Sequence, residues 1–150
     1  SEKELFRNLG RYLKNSSHET IGCPESEIRE KLNSHRIPHS ACTIFSDKME
    51  WGITSCEFLI ARSGSVLVSS ALSGGRQISI FPEKHLVIAQ MHQLKSSLEE
   101  AFAGITEKYG QNLPSQLLLI TGPSRTADIE KTLTLGAHGP RELHVFLYRV

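Results

Sequence analysis

Cysteine is scarce in this chain and poorly placed for chemistry. The three in 150 residues, Cys23, Cys42 and Cys56, are an odd number with no Cys-x-x-Cys spacing. That argues against a disulfide framework and against an iron–sulfur or zinc site built from this chain alone. Neither sign of charge is in excess. Seventeen Lys and Arg against sixteen Asp and Glu leave a net charge of +1, so electrostatics make no case for nucleic acid or an acidic membrane as partner. No apolar run approaches the roughly 20 residues of a transmembrane helix. The sequence holds no flavin or nicotinamide fingerprint and no Gly-x-Ser-x-Gly elbow, and Ser73-Gly74-Gly75-Arg76 lacks the Gly-Lys-Ser/Thr ending of a Walker loop. No cofactor is expected. His35 and His39 have helical metal spacing, but Pro38 between them spoils the helix, so no metal site is expected either. No signal peptide precedes Ser1, which predicts the cytoplasm unless a removed segment came before it. Internal repeats and low-complexity tracts are absent.

What remains is the composition of an ordinary globular domain, 39% hydrophobic and 22% charged, long enough to bury a real core as one unit over 1–150. Leu5, Phe6, Leu9, Tyr12 and Leu13 form an amphipathic stripe and predict a helix over Glu2 to Lys14. Pro24 with Glu25 and Glu27 starts a second, to about Asn33. Cys42 to Phe45 reads as a short strand. Glu57 to Ala61 and Ser65 to Ser69 read as a hairpin around Arg62-Ser63-Gly64, and His85 to Gln90 as a strand. Leu94, Leu98, Ala101, Phe102, Ile105 and Tyr109 recur at helical spacing, with Ser96 and Glu99 as a capping box and Gly110 as the stop. Gln116 to Thr121 and Leu143 to Tyr148 read as strands. Strands mixed with helices predict an α/β domain of three layers, α/β/α, around a mostly parallel mixed sheet.

The polar residues that invite a functional reading fall in three turns. The apolar run Leu117 to Ile120 feeds Gly122-Pro123-Ser124, after which Thr126, Asp128 and Glu130 crowd into what reads as the first turn of a helix. In open α/β sheets ligands bind just past such strand ends. The free N–H groups of a helix starting near Thr126, with the hydroxyls of Ser124 and Thr126, suit an anion. The same residues serve equally as a cap, with Asp128 complementing the helix dipole. His138, between Gly136 and Gly139-Pro140, is held where it can titrate near neutrality or bond a ligand. Arg62, Ser63, Gly64 and Ser65 form the third turn, read either as an anion contact or as an exposed hairpin tip. If the three turns converge, one concave pocket at the ends of the central strands holds all of these residues and prefers a small anionic ligand.

These motifs resemble the LUD domain of the lactate utilization protein C family. Gly122-Pro123-Ser124-Arg125-Thr126-Ala127-Asp128-Ile129-Glu130 and Gly136-Ala137-His138-Gly139-Pro140 match its C-terminal signature. Ala61 to Leu67 resembles its Ala-Glu-Thr-Gly-Thr/Ser hairpin, and Gly75 to Pro82 its Gly-Arg-x-x-Ser-x-x-Pro segment. The likeness covers about Ile53 to Val150; the first fifty residues match poorly, as in a short member. It implies the fold shared by glucosamine-phosphate deaminases, ribose-phosphate isomerases and CoA transferases. It also implies an accessory role in L-lactate oxidation beside a cysteine-rich and an iron–sulfur subunit, with a homo-oligomer possible. The alternative is a stand-alone isomerase- or ligase-like enzyme for a phosphorylated or carboxylated substrate. Arg62 stands where the family carries an acid. A permanent cation cannot be the acyl-accepting nucleophile of a CoA transferase, so that chemistry is not expected.

Overall fold

The structure, a computed structural model, describes residues 1–15, 21–41, 49–72, 77–129, 132–135 and 139–149. In chain order its elements are α1 (Glu2–Asn15), β1 (Ile21–Gly22), α2 (Ser26–Ser34), β2 (Trp51–Thr54), β3 (Phe58–Ile60), β4 (Ser65–Ser69), β5 (Lys84–Gln90), β6 (Leu94–Lys95), α3 (Leu98–Tyr109), β7 (Leu117–Ile120), β8 (Arg125–Ile129), β9 (Thr132–Leu135) and β10 (Glu142–Tyr148). Cys42 to Phe45 lies outside the described residues.

The fold is α/β, as expected, with helices on both outer faces and the middle layer doubled. One sheet has the order β1-β2-β5-β10 with every pairing parallel. The other has the order β6-β3-β4-β7, in which β3 and β4 form the expected hairpin, β7 runs antiparallel to β4, and β6 runs parallel to β3. The side chains of β5 show why two sheets stack. Leu86 and Ile88 pack with Leu5, Phe6, Leu9 and Leu13 of α1 and Ile28 and Leu32 of α2, while Val87 and Ala89 pack with Leu59, Val66 and Val68 of the second sheet. Leu67 and Ile60, on the far face of that sheet, meet Ala101 and Ile105 of α3. Strands buried on both faces read as continuous apolar runs rather than alternating ones.

Three expectations shift. Leu94 leaves the helix for β6, pairing with Leu59, and α3 begins at Leu98. Its cap accordingly moves by one residue: Ser97 is the N-cap and its Oγ accepts from Glu100 N, while the Glu100 carboxylate accepts from Ser96 N and Oγ. The helix expected from Thr126 is instead a β8–β9 hairpin pairing Arg125 with Leu135 and Thr126 with Thr134. Thr126, Ile129, Thr132 and Thr134 are β-branched and favour extended backbone, which outweighs the cap-like Ser-x-Thr-x-Asp pattern.

A buried polar pair joins β2 and β5 in the core. His85 is fully buried and its Nε2 lies 2.8 Å from Thr54 Oγ1, while Nδ1 has no hydrogen-bond partner among the described residues. Desolvation drives its pKa down to about 4, so the ring is neutral at physiological pH.

A polar cleft at the C-terminal edge of the parallel sheet

Because the four strands of the first sheet run the same way, their C-terminal ends share one edge. After β1 the chain turns through Pro24 into α2, on the helical side of the sheet. After β2 it crosses to the opposite face to build β3 and β4. Neighbouring parallel strands whose continuations diverge in this way leave a crevice between their ends, the usual place for a ligand in open α/β sheets. A cleft of about 350 Å³ opens here. Every strand of the sheet contributes to it: Glu25 follows β1, Ser55 follows β2, Gln90 ends β5, and Tyr148 ends β10. Lys31 of α2 and Lys108 of α3 form opposite walls.

Glu25 and Ser55 join the diverging strands. Glu25 is the N-cap residue of α2 yet does not cap it with its side chain. Its Oε1 accepts from Ser55 N at 2.7 Å, and its Oε2 from Ser55 Oγ at 2.5 Å. Burial raises the Glu25 pKa, more than the two Ser55 bonds lower it, so its proton is held to higher pH than on an ordinary carboxyl. The loop that delivers it is pinned by Arg29, which donates to the carbonyls of Cys23 and Pro24.

Both lysines are tethered. Lys31 Nζ donates to Glu2 Oε2 at 2.7 Å and lies 3.4 Å from Tyr148 OH, which itself donates to Glu2. Lys108 Nζ donates to Glu57 Oε2 at 2.7 Å. Glu57 is buried, and its Oε1 also accepts from Ser69 Oγ at 2.5 Å and Tyr109 OH at 2.6 Å. Burial pushes the Glu57 pKa up, but the donors Lys108, Ser69 and Tyr109 outweigh it and hold the carboxyl below the usual carboxylate range. Lys108 keeps its charge: burial lowers its pKa, and the bond to Glu57 more than compensates. The cleft thus offers two tethered ammonium groups, the hydroxyls of Ser26, Ser55 and Tyr148, and the carboxyls of Glu25 and Glu27, the first with its pKa raised by burial. Cys56 also lines it, but burial pushes this thiol up to about 12, which rules it out as a thiolate nucleophile at neutral pH.

The hairpin and signature-turn residues singled out in the sequence and described in the structure lie elsewhere. Ser65 opens β4, whereas Ala71 and Leu72, which line the cleft, follow its other end. Five strand residues separate the two, roughly 16 Å at about 3.3 Å per residue. At that far end two of the turns do meet: Ser63 Oγ lies 2.7 Å from Ser65 Oγ, which lies 2.8 Å from Thr121 Oγ1. Arg62 and Ser63 are exposed on the tip. Gly64 and Gly122 hold left-handed backbone, at φ 65° and 86°. Ser124 N donates to Pro140 O at 2.8 Å, which brings the Gly139-Pro140 stretch to the signature turn. Thr126 and Asp128 sit on β8 rather than on a helix, and His138 lies outside the described residues. The cleft, a groove beside α1 and a small void under β4 are lined by none of Arg62, Ser63, Gly64, Ser65, Gly122 and Ser124.

Glu25, Ser55, Lys31, Lys108 and Tyr148 escaped the sequence reading. A signal for Ser55 existed: Trp51 to Thr54 is a mainly apolar segment ending in polar residues, masked by Gly52 at its centre. That glycine is required, since a Cβ there would lie 2.6 Å from Pro82 Cγ.

A family model described as LUD domain matches residues 8–148. Similar chains include an uncharacterized protein of Neisseria meningitidis, 35% identical over 67% of this chain and 43% of its own. They also include proteins named lactate utilization protein C from Oceanobacillus iheyensis (32% identical; 65% of this chain, 42% of that one) and Halalkalibacterium halodurans (34%; 76% and 48%). This chain spans less than half the length of each. A crystal structure of a DUF162 family protein from Deinococcus radiodurans is 20% identical, with a TM-score of 0.49 over 98% of both chains.

Proposed function

The chain belongs to the LUD domain family, and from that premise we propose that it serves a lactate utilization system as an accessory subunit binding a small carboxylate in the cleft. The names of its relatives support the system; the cleft supports the ligand class. The observation that carries the reading is the Glu25–Ser55 pair at the diverging strand ends, flanked by Lys31 and Lys108. A 2-hydroxy acid presents one carboxylate and one hydroxyl. The ammonium groups suit the first, and Ser55 with Glu25 can exchange hydrogen bonds with the second. A volume of about 350 Å³ suits a molecule of that size with bridging water. With three dispersed cysteines the chain does not assemble a cluster of its own, so electrons would pass through partners, the cysteine-rich and iron–sulfur subunits of such a system.

NMR titration of the ¹⁵N-labelled chain with L-lactate, with acetate and sulfate as controls, tests the site. Shifts are expected at Ser55, Gln93 and Tyr148, with affinity reduced about tenfold in Ser55→Ala by loss of one hydroxyl partner. Shifts confined to Arg62–Ser65 and Thr121–Ser124 would assign the ligand to the polar turns and refute the cleft. The isolated chain is expected not to reduce a dye with lactate; measurable reduction would refute the accessory role.

A further inference from the structure

The groove beside α1 differs from the cleft in character. Its volume is about 460 Å³, its floor is Phe6, Leu13 and Ile37, and no carboxylate lines it among the described residues. Lys3, Arg7, Arg11 and Lys14 recur at i, i+4, i+8 and i+11 and so form one stripe along α1. Arg36 faces this stripe across the groove from a turn that holds left-handed backbone, at φ 54°. Five permanent cations on one groove are conspicuous in a chain of net charge +1. Among the described residues the one ion pair on this stripe joins Arg7 to Glu4 at 3.9 Å, a carboxylate shared with the N-terminus.

An occupant must be acidic, extended along α1, and apolar on the side that meets the floor. A single small anion spans too little of the stripe. A flat bilayer would reach the rim but not the floor, and a nucleic acid brings no aliphatic face to fill it. The chain itself carries the matching element. α3, on the opposite outer layer, exposes Glu99, Phe102, Ala103 and Glu107, with Phe102 at 44% exposure. Glu99 and Glu107 are eight residues apart, roughly 12 Å of helix, the same spacing as Lys3 and Arg11. Neither acid makes an ion pair among the described residues. The one lysine within α3, Lys108, is drawn inward by Glu57. Gly10 puts no side chain into the groove between Arg7 and Lys14, where an added Cβ would just touch Ile37 on the floor.

We propose that α3 of one copy seats in the α1 groove of another, with Phe102 on the apolar floor and Glu99 and Glu107 on the basic stripe. Groove and knob lie on opposite outer layers of each molecule, so the contact is head-to-tail and repeats along a chain of copies. One helix face buries less than the roughly 1,200 Å² of a standard stable interface, so the association is weak, fast and salt-sensitive.

Sedimentation velocity of the full chain over a concentration series tests this. Self-association is expected, weakened about tenfold or more by Arg7→Glu/Arg11→Glu and likewise by Glu99→Lys/Glu107→Lys, and restored when the two swapped variants are mixed, because each groove again meets an opposite helix. Gly10→Leu should block it by filling the groove. Gly10→Ala should not, since its Cβ would sit 3.5 Å from Ile37 in ordinary contact. Circular dichroism confirms that each variant is folded. A monomer at all concentrations, association indifferent to both swaps, or folded variants that fail to complement would each overturn the proposal. So would a monomer whose groove arginines are needed only to pellet with phosphatidylglycerol vesicles.

Discussion

Replacing Glu57 by glutamine should weaken the fold most near neutral pH and hardly at all in acid. Glu57 is a buried carboxylate with three donors. In Glu57→Gln the amide oxygen can still accept from Ser69 and Tyr109. Those two bonds fall from charge-assisted strength, about 1.5–3 kcal/mol each, to that of neutral bonds, about 0.5–1.5. The ion pair with Lys108 is also lost, but that lysine side chain is 53% exposed, so solvent screening limits this contribution to about 0–1 kcal/mol. Burying a neutral amide costs less than burying a carboxylate and returns part of the loss. The expected net is about 2 kcal/mol at pH 7, or about 4–8 °C in Tm for a chain of this size. The sign of the pH dependence follows from the native carboxyl lying below its unfolded value. Ionised Glu57 contributes its full stability above the ordinary carboxylate range, near 4.3, and loses it as pH falls through the lower native value. Urea unfolding followed by Trp51 fluorescence from pH 7 to pH 3 should therefore show wild type and variant converging in acid. A gap that stays constant across this range, or no gap at pH 7, would refute the account of Glu57 as a charged structural acceptor.

Other consequences can be checked separately. His85 titrates near 4 in the fold and near 6.5 when unfolded, so protonation favours unfolding in that window; stability should drop by about 3 kcal/mol as pH falls from 7 to 4, and His85→Leu should remove that slope in urea titrations. Gly104→Ala should destabilise by about 1–3 kcal/mol in thermal melts despite alanine's better helix propensity, because the new Cβ would lie 2.5 Å from Phe58 Cζ. Burial raises both Cys23 and Cys56 to about 12, so neither should be alkylated by iodoacetamide in the native state at pH 8, as read by mass spectrometry of tryptic peptides; rapid native labelling of either would contradict the buried assignment.

Local structure was legible wherever one face meets one layer. The α1 stripe worked because Leu5, Phe6, Leu9 and Leu13 all point into a single core. The β3–β4 hairpin worked because Arg62-Ser63-Gly64 supplies a turn with a glycine at positive φ. Two segments failed for different reasons. Trp51 to Thr54 is too short, with a glycine inside, to announce a strand; only its parallel partners β1 and β5 make it one. Residues 125–135 carry a pattern of Ser, Thr and Asp that fits a helix cap and an extended hairpin alike, and tertiary pairing decided it. The cleft was less legible than either. Glu25 and Ser55 are 30 residues apart, Glu57 and Lys108 are 51, and Lys31 and Tyr148 are 117. No local pattern in a single sequence announces contacts at such separations.

The rule that ligands bind beyond the carboxyl ends of strands depends on strand direction. Leu117 to Ile120 is a strand followed by a polar turn, as the sequence suggested, but β7 is a half-buried edge strand with Leu119 exposed, and it lies antiparallel to β4 in the second sheet. Its C-terminal end therefore meets the start of β4, where Ser65 and Thr121 satisfy each other's hydroxyls across the two strands. Hydroxyls so paired act first as a clasp between neighbouring strands. Glu25 and Ser55 are also paired, yet between parallel strands whose continuations leave on opposite faces, so their bond spans an opening instead of closing a ladder. That difference in what surrounds two similar polar pairs is the physical ground for proposing the cleft, and not the polar turns, as the ligand site. It also sets the order of tests: Ser55→Ala and Ser65→Ala each leave a partner, Glu25 or Thr121, short of a hydrogen bond and should each cost about 1 kcal/mol of stability in urea unfolding, but Ser55→Ala should also weaken ligand binding whereas Ser65→Ala should leave ligand affinity unchanged. The reverse pattern would exchange the roles of the two sites.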